Sequence, residues 1–421
     1  MTAVAGTRAP HTGGAFADGR LTLADAGGAA VLVCYITIKF GPFEQLWFSP
    51  GIVSTAFLPA LAIGVLAITP GIALQRAPIN MLLLGMLAWS TMSVSWSVDQ
   101  TFTLFLIRSE LPALVLTLLV VASMRLEVVT GTLIAYLQVI MAWSFLTSLG
   151  RPESRRSMSD DFIPLIGWRG TFDHKNGMGM FLVLGLATVI AFEHRRVVRP
   201  VMITLCVVGT FATRSATAAS GLLVMVLVAL WVSALSVSRN RRDQAIFAIL
   251  SVMIAALAVF LTLGLLPSFL TLYGKDLTFS GRTIIWANTI DAIADRPWFG
   301  IGFTSNWSSV STPVVLDLRR AIGFDAAHAH NGALELVFEV GIVGLALYLA
   351  FFVSVVRRGL RSLTTANPYG RWALATCAAL AIMSVSEVLF QGAFLGYLAI
   401  VGIVTTRADL DARRSTAVRR M

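Results

Sequence analysis

Asp325-Ala-Ala-His328-Ala-His330-Asn331-Gly-Ala-Leu334 closes a polar stretch and opens an apolar run that continues to Val356. About 20 apolar residues, rising 1.5 Å each, are enough to cross the roughly 30 Å hydrocarbon core of a bilayer, so this run reads as a membrane-spanning helix. Two of the chain's five histidines therefore stand where a loop enters the membrane. A histidine in the first turn of a helix feels the positive end of the backbone dipole. That disfavours imidazolium and leaves a neutral ring able to accept a proton.

Working outward, the same grammar repeats along all 421 residues. The chain is 57% apolar and only 13% charged, with a mean hydropathy of +0.80. A soluble domain of this size has no use for that much apolar surface, and continuous runs exclude the alternating pattern of a transmembrane β-barrel. The reading is an all-α polytopic membrane protein with about twelve spans. They fall near 22–40, 52–74, 78–97, 102–123, 128–148, 176–193, 198–213, 216–237, 245–266, 331–356, 372–389 and 391–406.

The net charge of +10 comes from short arginine clusters between runs, which argues for membrane topology and against nucleic acid. With the N-terminus inside, the inner segments hold Arg8, Arg20, Arg76, Arg125, Arg195, Arg196, Arg199 and Arg239. They also hold Arg241, Arg242, Arg357, Arg358, Arg361, Arg371 and the arginines from Arg407 onward. The short outer turns hold almost none, so both termini are expected in the cytoplasm. This divides the chain into an N-terminal tail (1–21), one transmembrane domain (22–406) and a basic C-terminal tail (407–421). The first 20 residues lack the basic-then-apolar pattern of a cleavable signal, so the first run is kept as a span. Cys34, Cys206 and Cys377 lie inside apolar runs, and no disulfide framework or zinc site is legible.

Two outer segments, 150–175 and 267–330, are too long to be turns. The second carries a helical pattern from Thr283 to Asp295, bounded by Gly281 and by Pro297 and Gly300. Its aromatic residues Trp286, Trp298, Phe299, Phe303 and Trp307 suggest a segment lying on the bilayer surface. No internal repeat is visible.

Polar residues gather where three runs begin on the outer face: Phe172-Asp173-His174-Lys175-Asn176, Thr213-Arg214-Ser215 and His328-Ala-His330-Asn331. Helix N-termini offer free N–H groups and partial positive charge, a ready anion site. Arg214 and Arg282 each place a cation where the dipole opposes it, which makes sense if an anion lies between. Other readings stand beside these. Arg214 is also a snorkelling anchor, Arg282 a contact to lipid phosphate, Lys175 an interfacial anchor, and His330 a plain N-cap shared with Asn331. Glu335 and Glu339 read as structural ion pairs with arginine. Asp409-Leu-Asp411 spells a metal-binding pattern, but on a short basic tail, and Asp160-Asp161 reads as a solvated pair.

The set His174-Lys175-Asn176, Thr213-Arg214-Ser215, Ser280-Gly281-Arg282-Thr-Ile-Ile-Trp286, Pro297-Trp-Phe-Gly300-Ile-Gly302, His328-Ala-His330-Asn331-Gly and Gly341-Ile-Val-Gly344 resembles the O-antigen ligase and exopolysaccharide polymerase superfamily (Wzy- and ExoQ-like). The resemblance covers about residues 165–350, and in spelling and size it leans toward the polymerases. It implies a glycosyltransferase of the bacterial inner membrane. Such an enzyme takes a glycan from an undecaprenyl diphosphate carrier at the periplasmic face and attaches it to an acceptor hydroxyl. It also implies essential roles for Arg214, Arg282 and His330, a donor-binding part for Lys175 and Asn176, and supporting places for His328, Asn331 and His174. Implied partners are the lipid-linked donor, the glycan acceptor and the bilayer, with room for other polysaccharide assembly proteins. No cofactor, metal or nucleic acid is expected. Two rival functions are an O-antigen ligase acting on lipid A core or a protein, and a lipid-linked oligosaccharide flippase. A third, a membrane scaffold, leaves the arginine and histidine placements without purpose.

Overall fold

The structure is a computed structural model. It describes residues 21–40, 53–68, 80–151, 156–158, 164–237, 281–303, 307, 312–324, 326–363, 367–389 and 392–418. Helices dominate: α1 (Leu23–Phe40), α2 (Leu58–Ala67, entered through a π-turn), α3 (Met81–Met92), α4 (Gln100–Ser123), α5 (Leu126–Gly150), α6 (Lys175–Phe192), α7 (Val198–Ala212) and α8 (Ala216–Val237). After them come α9 (Arg282–Ala294), α10 (Pro313–Ile322), α11 (Gly332–Ser362), α12 (Pro368–Met383) and α13 (Gly392–Val418). A two-stranded antiparallel ribbon, β1 (Arg156–Met158) with β2 (Pro164–Ile166), lies in the first long outer segment.

Seven of these helices are long and apolar enough to cross a membrane: α1, α4, α5, α6, α8, α11 and α13. α2, α3 and α7 are shorter apolar helices. The expected span at 245–266 lies outside the described residues. The eleven other expected runs each contain a helix, but their ends move. The run expected at 372–389 stops at Met383, and residues 384–389 form a connector. The C-terminal tail expected from residue 407 is instead the last part of α13, which continues to Val418. Its reason is local. Arg407 is buried and donates to the Val121 and Met124 carbonyls that end α4, while Arg413 pairs with Asp409 one turn earlier. Asp409 is thus an ion-pair partner on a helix.

The helices form one bundle with a continuous apolar core. α8 packs along α12, α6 against α7 and α12, and α11 against α3 and α12. Several arginines stand at one end of the bundle. Arg125 pairs with Asp25 there, Arg195 with Glu193, and Arg358 reaches Thr406. His174 and His330 head α6 and α11, at the ends opposite Arg195 and Arg358, while Arg214 precedes α8 and Arg282 begins α9.

The outer segment expected to hold one helix holds two, α9 and α10, which share a small core with Trp307, Ile301, Ala329 and Phe338. The aromatics divide between the interior and the surface. Trp307 is 0% exposed and Phe303 is buried, whereas Trp298 is 61% exposed and Phe299 also lies open. This cap is stitched into the bundle through a break in α11. Gly341 leaves helical geometry (φ 73°, ψ 179°), freeing backbone groups that Pro297–Gly302 then satisfy. Ile301 and Gly302 donate to the Phe338 and Glu339 carbonyls, and Ile342 donates to Pro297 O. Trp89 Nε1 takes the Val340 carbonyl at 2.9 Å. A Cβ at Gly341 would lie 2.0 Å from the Trp298 carbonyl oxygen, so glycine is required for both its backbone and the close approach.

Candidate active site

Three helix beginnings and one connector build the outer rim. α6 starts after His174, whose Nδ1 accepts from the Asn176 amide and so caps the helix. α9 starts at Arg282, just after Gly281 in the left-handed region (φ 81°). α11 is capped by Asn331, which accepts from Ala333 N and Leu334 N at 3.0 Å each. That role belongs to Asn331 alone, and His330 sits one residue ahead of it. The connector after α12 supplies Glu387, and is tied to the α11 loop by Gly332 N to Ser384 O and Asn331 Nδ2 to Val385 O.

Glu387 is the centre of the rim. Its Oε1 accepts from Arg282 Nη2 at 2.9 Å and from Asn176 Nδ2 at 2.6 Å. Its Oε2 faces His330 Nδ1 across 3.7 Å. Only 7% of the residue is exposed. Burial pushes its carboxyl up, but the facing His330 ring and the Arg282 guanidinium outweigh burial and hold it down at about 2. It therefore stays ionised, as a buried charge must when it is paired.

The His328-Ala329-His330 loop is fixed from several sides. The His328 and His330 rings lie with centroids 3.9 Å apart. His328 Nδ1 accepts from the His330 amide, Trp286 Nε1 donates to Ala329 O, and buried Glu335 takes the Ala329 amide at 2.7 Å. The ion pair expected for Glu335 is thus replaced by a backbone contact that shapes the loop. Burial, with His330 adjacent, pulls the His328 pKa down to about 4, so that ring is neutral near pH 7. His330 itself adopts the left-handed conformation (φ 48°), which a non-glycine residue takes only where surroundings over-determine it.

Arg214 shares that backbone feature (φ 50°) in the turn between α7 and α8, with an exposed side chain. It lies on the same rim. Thr217, three residues on, bonds Ser386 beside Glu387 at 2.7 Å. A Cβ at Gly167 would touch both the Thr213 carbonyl and the Lys175 stem, which brings Lys175 and the Arg214 turn side by side. The structure thus gathers Arg282, Asn176, His330 and His328 directly around Glu387, with His174, Lys175 and Arg214 on the adjoining edge. Sequence reading missed Glu387 because it was absorbed into an expected span. Its signal was the polar Ser384-Val-Ser386-Glu387 interrupting an apolar run.

His328, His330 and Glu387 offer ligand atoms within 4.8 Å of one another. Two of them have another use, however: His328 Nδ1 holds the His330 amide, and Glu387 Oε1 is taken by Arg282 and Asn176. A cation there would also face the Arg282 charge. The donor set fits an anion-binding rim better than a metal centre.

Comparison with known proteins follows the same geometry. Residues 200–349 match the O-antigen ligase family. Arg214, Arg282, His328 and His330 fall inside this O-antigen ligase segment, while His174–Asn176 and Glu387 lie outside it. The chain is also similar to the exopolysaccharide production protein ExoQ of Rhizobium meliloti (strain 1021), 24% identical over 282 residues. That match covers 63% of this chain and 62% of the relative's own length. Both support the superfamily that the motifs resemble, and the seven candidate spans are those of a multi-pass membrane protein.

Proposed function

We propose that this protein is a polysaccharide polymerase of the bacterial inner membrane. On this reading it transfers a glycan from an undecaprenyl diphosphate carrier to an acceptor hydroxyl at the periplasmic face, without a metal. The observation that carries the reading is the convergence of Arg282, Asn176 and His330 on one buried carboxylate, at the ends of α6 and α11 opposite Arg195 and Arg358. Basic segments mark the cytoplasmic side, so those ends face the periplasm.

Diphosphate is already a good leaving group, so the reaction needs little acid catalysis. It needs fixed positive charge where negative charge grows on the departing oxygen. Arg282, with Arg214 and Lys175 on the adjoining edge, supplies it, and a guanidinium fork matches phosphate oxygens. It also needs a base for the acceptor proton. His330 takes that part through Nε2, since its Nδ1 faces Glu387; His328, whose Nδ1 holds the loop, is a support. The acceptor oxygen then bonds the anomeric carbon as the bond to phosphate breaks, in one inverting displacement.

A deletion strain tests the reaction class. Loss of long polymer with accumulation of short lipid-linked repeats is expected. Polymer that forms but never reaches its final acceptor indicates instead the ligase reading, which the O-antigen ligase match over residues 200–349 favours. Normal assembly of both overturns glycan transfer.

A further inference from the structure

Glu387 holds one reactive group while standing just short of another. Arg282 is bonded to Oε1, yet the 3.7 Å between Oε2 and His330 Nδ1 is too long for a hydrogen bond. His330 Nδ1 is buried and has no hydrogen-bond partner, a costly condition for a polar atom. The same carboxylate cannot fully satisfy both neighbours in this geometry.

Resting on the glycan-transfer reading, we propose that Glu387 is a positioning residue that couples donor binding to activation of the base. A diphosphate carries more negative charge than one carboxylate and presents more oxygens to the guanidinium fork. Donor arrival draws Arg282 off Oε1. Glu387, still tethered by Asn176, closes the gap and takes the Nδ1 proton of His330 in a hydrogen bond. That bond fixes the tautomer with the lone pair on Nε2 and stabilises the imidazolium formed as Nε2 takes the acceptor proton. The acceptor oxygen bonds the anomeric carbon, the carbon–phosphate oxygen bond breaks, and its electron pair leaves with the diphosphate. The base is thus at full strength only when a donor is seated, which suppresses transfer to water at an empty or half-filled site.

Several charged groups face His330. His328 lies beside it on the loop, and Arg282 reaches in from α9. His174 and Lys175 head α6, and Glu335 of α11 is committed to the Ala329 amide. Among the described residues, Glu387 is the one carboxylate within 4.0 Å of the ring.

The test uses the full chain in lipid nanodiscs with an undecaprenyl diphosphate-linked oligosaccharide as donor. Turnover and KM are read across pH for wild type, E387Q, E387D and H330A. E387Q is expected to lower kcat by about 10- to 100-fold with KM for donor unchanged or lower, because Arg282 is released. Removing the carboxylate takes away the negative charge that favours the imidazolium, so the acid limb of kcat/KM should move to lower pH. E387D keeps the charge but widens the gap; it should lose at least tenfold in kcat while retaining the wild-type acid limb. If E387Q does not fold, E387D decides alone, and full kcat in that variant overturns the proposal. Wild-type kcat and acid limb in E387Q, with H330A inactive, sinks the coupling but leaves the glycan-transfer reading standing. Undiminished turnover in H330A and R282A removes that reading itself.

Discussion

The two ends of the bundle both carry buried charge, and they use it differently. At the end that carries Arg195, Arg407 and Arg413, charges are satisfied separately: Arg195 bonds Glu193 two residues away, Arg413 bonds Asp409 one turn away, and Arg407 caps the carbonyls that end α4. At the rim, one carboxylate from a connector is shared by Arg282, Asn176 and His330, from three other elements. Separate local pairs hold helix ends in place. A single shared acceptor, with one oxygen held by two donors and the other standing 3.7 Å from His330, is an arrangement that can be rearranged by an incoming anion.

This contrast can be broken in order of effect. H330A should remove turnover by 10²- to 10⁴-fold while donor binding, read by isothermal titration, stays near wild type. Weak donor binding with normal chemistry would refute the base assignment. R282A should cost about 10²- to 10³-fold in kcat/KM, with the loss shared between KM and kcat, since the guanidinium serves ground state and transition state alike. G341A tests the stitch between cap and bundle. A side chain there is strained in φ and meets the Trp298 carbonyl, so thermal unfolding should show a loss of order 3 kcal/mol. At the opposite end, R407M should cost about 1.5–3 kcal/mol through lost charged hydrogen bonds, while activity per folded molecule is unchanged. A drop in specific activity for R407M would erase the functional distinction between the ends.

The smallest effect concerns acid. His328 is depressed to about 4, so it resists a proton that the unfolded chain accepts near 6.5; its contribution is present at neutral pH and lost as pH falls from about 6.5 toward 4. Glu387 is depressed to about 2, so its contribution is full above about 4.3 and lost as pH falls toward 2. The stability gap between wild type and E387Q should therefore hold from pH 7 to about 5 and shrink below 4. A gap that grows on acidification would contradict the ionised carboxylate.

Much of this molecule was legible in the sequence because membrane spans announce themselves by continuous apolarity. Asn176, His330, His328 and His174 stood out as candidates because each lies at the start of an apolar run, where helix ends leave polar groups exposed, and Arg282 because it heads the helical pattern of the outer segment. What stayed hidden depended on tertiary contact. Nothing in the run around Gly341 distinguishes a break from a tolerated glycine until Pro297–Gly302 is seen to fill it. Glu387 looked like one acidic blemish in a span, and only its three partners from distant elements give it meaning. The aromatics of the outer segment carried an ambiguous signal, because a ring suited to the bilayer surface is equally suited to a buried core, the small cap core for Trp307 and the main bundle core for Phe303.

The break at Gly341 sets a rule for engineering. The outer segment and the helix beneath it interlock residue by residue, like a tenon in its mortise, so neither half of the joint is portable by itself. Exchanging the Arg282-bearing piece with that of another protein requires carrying over the glycine that receives it.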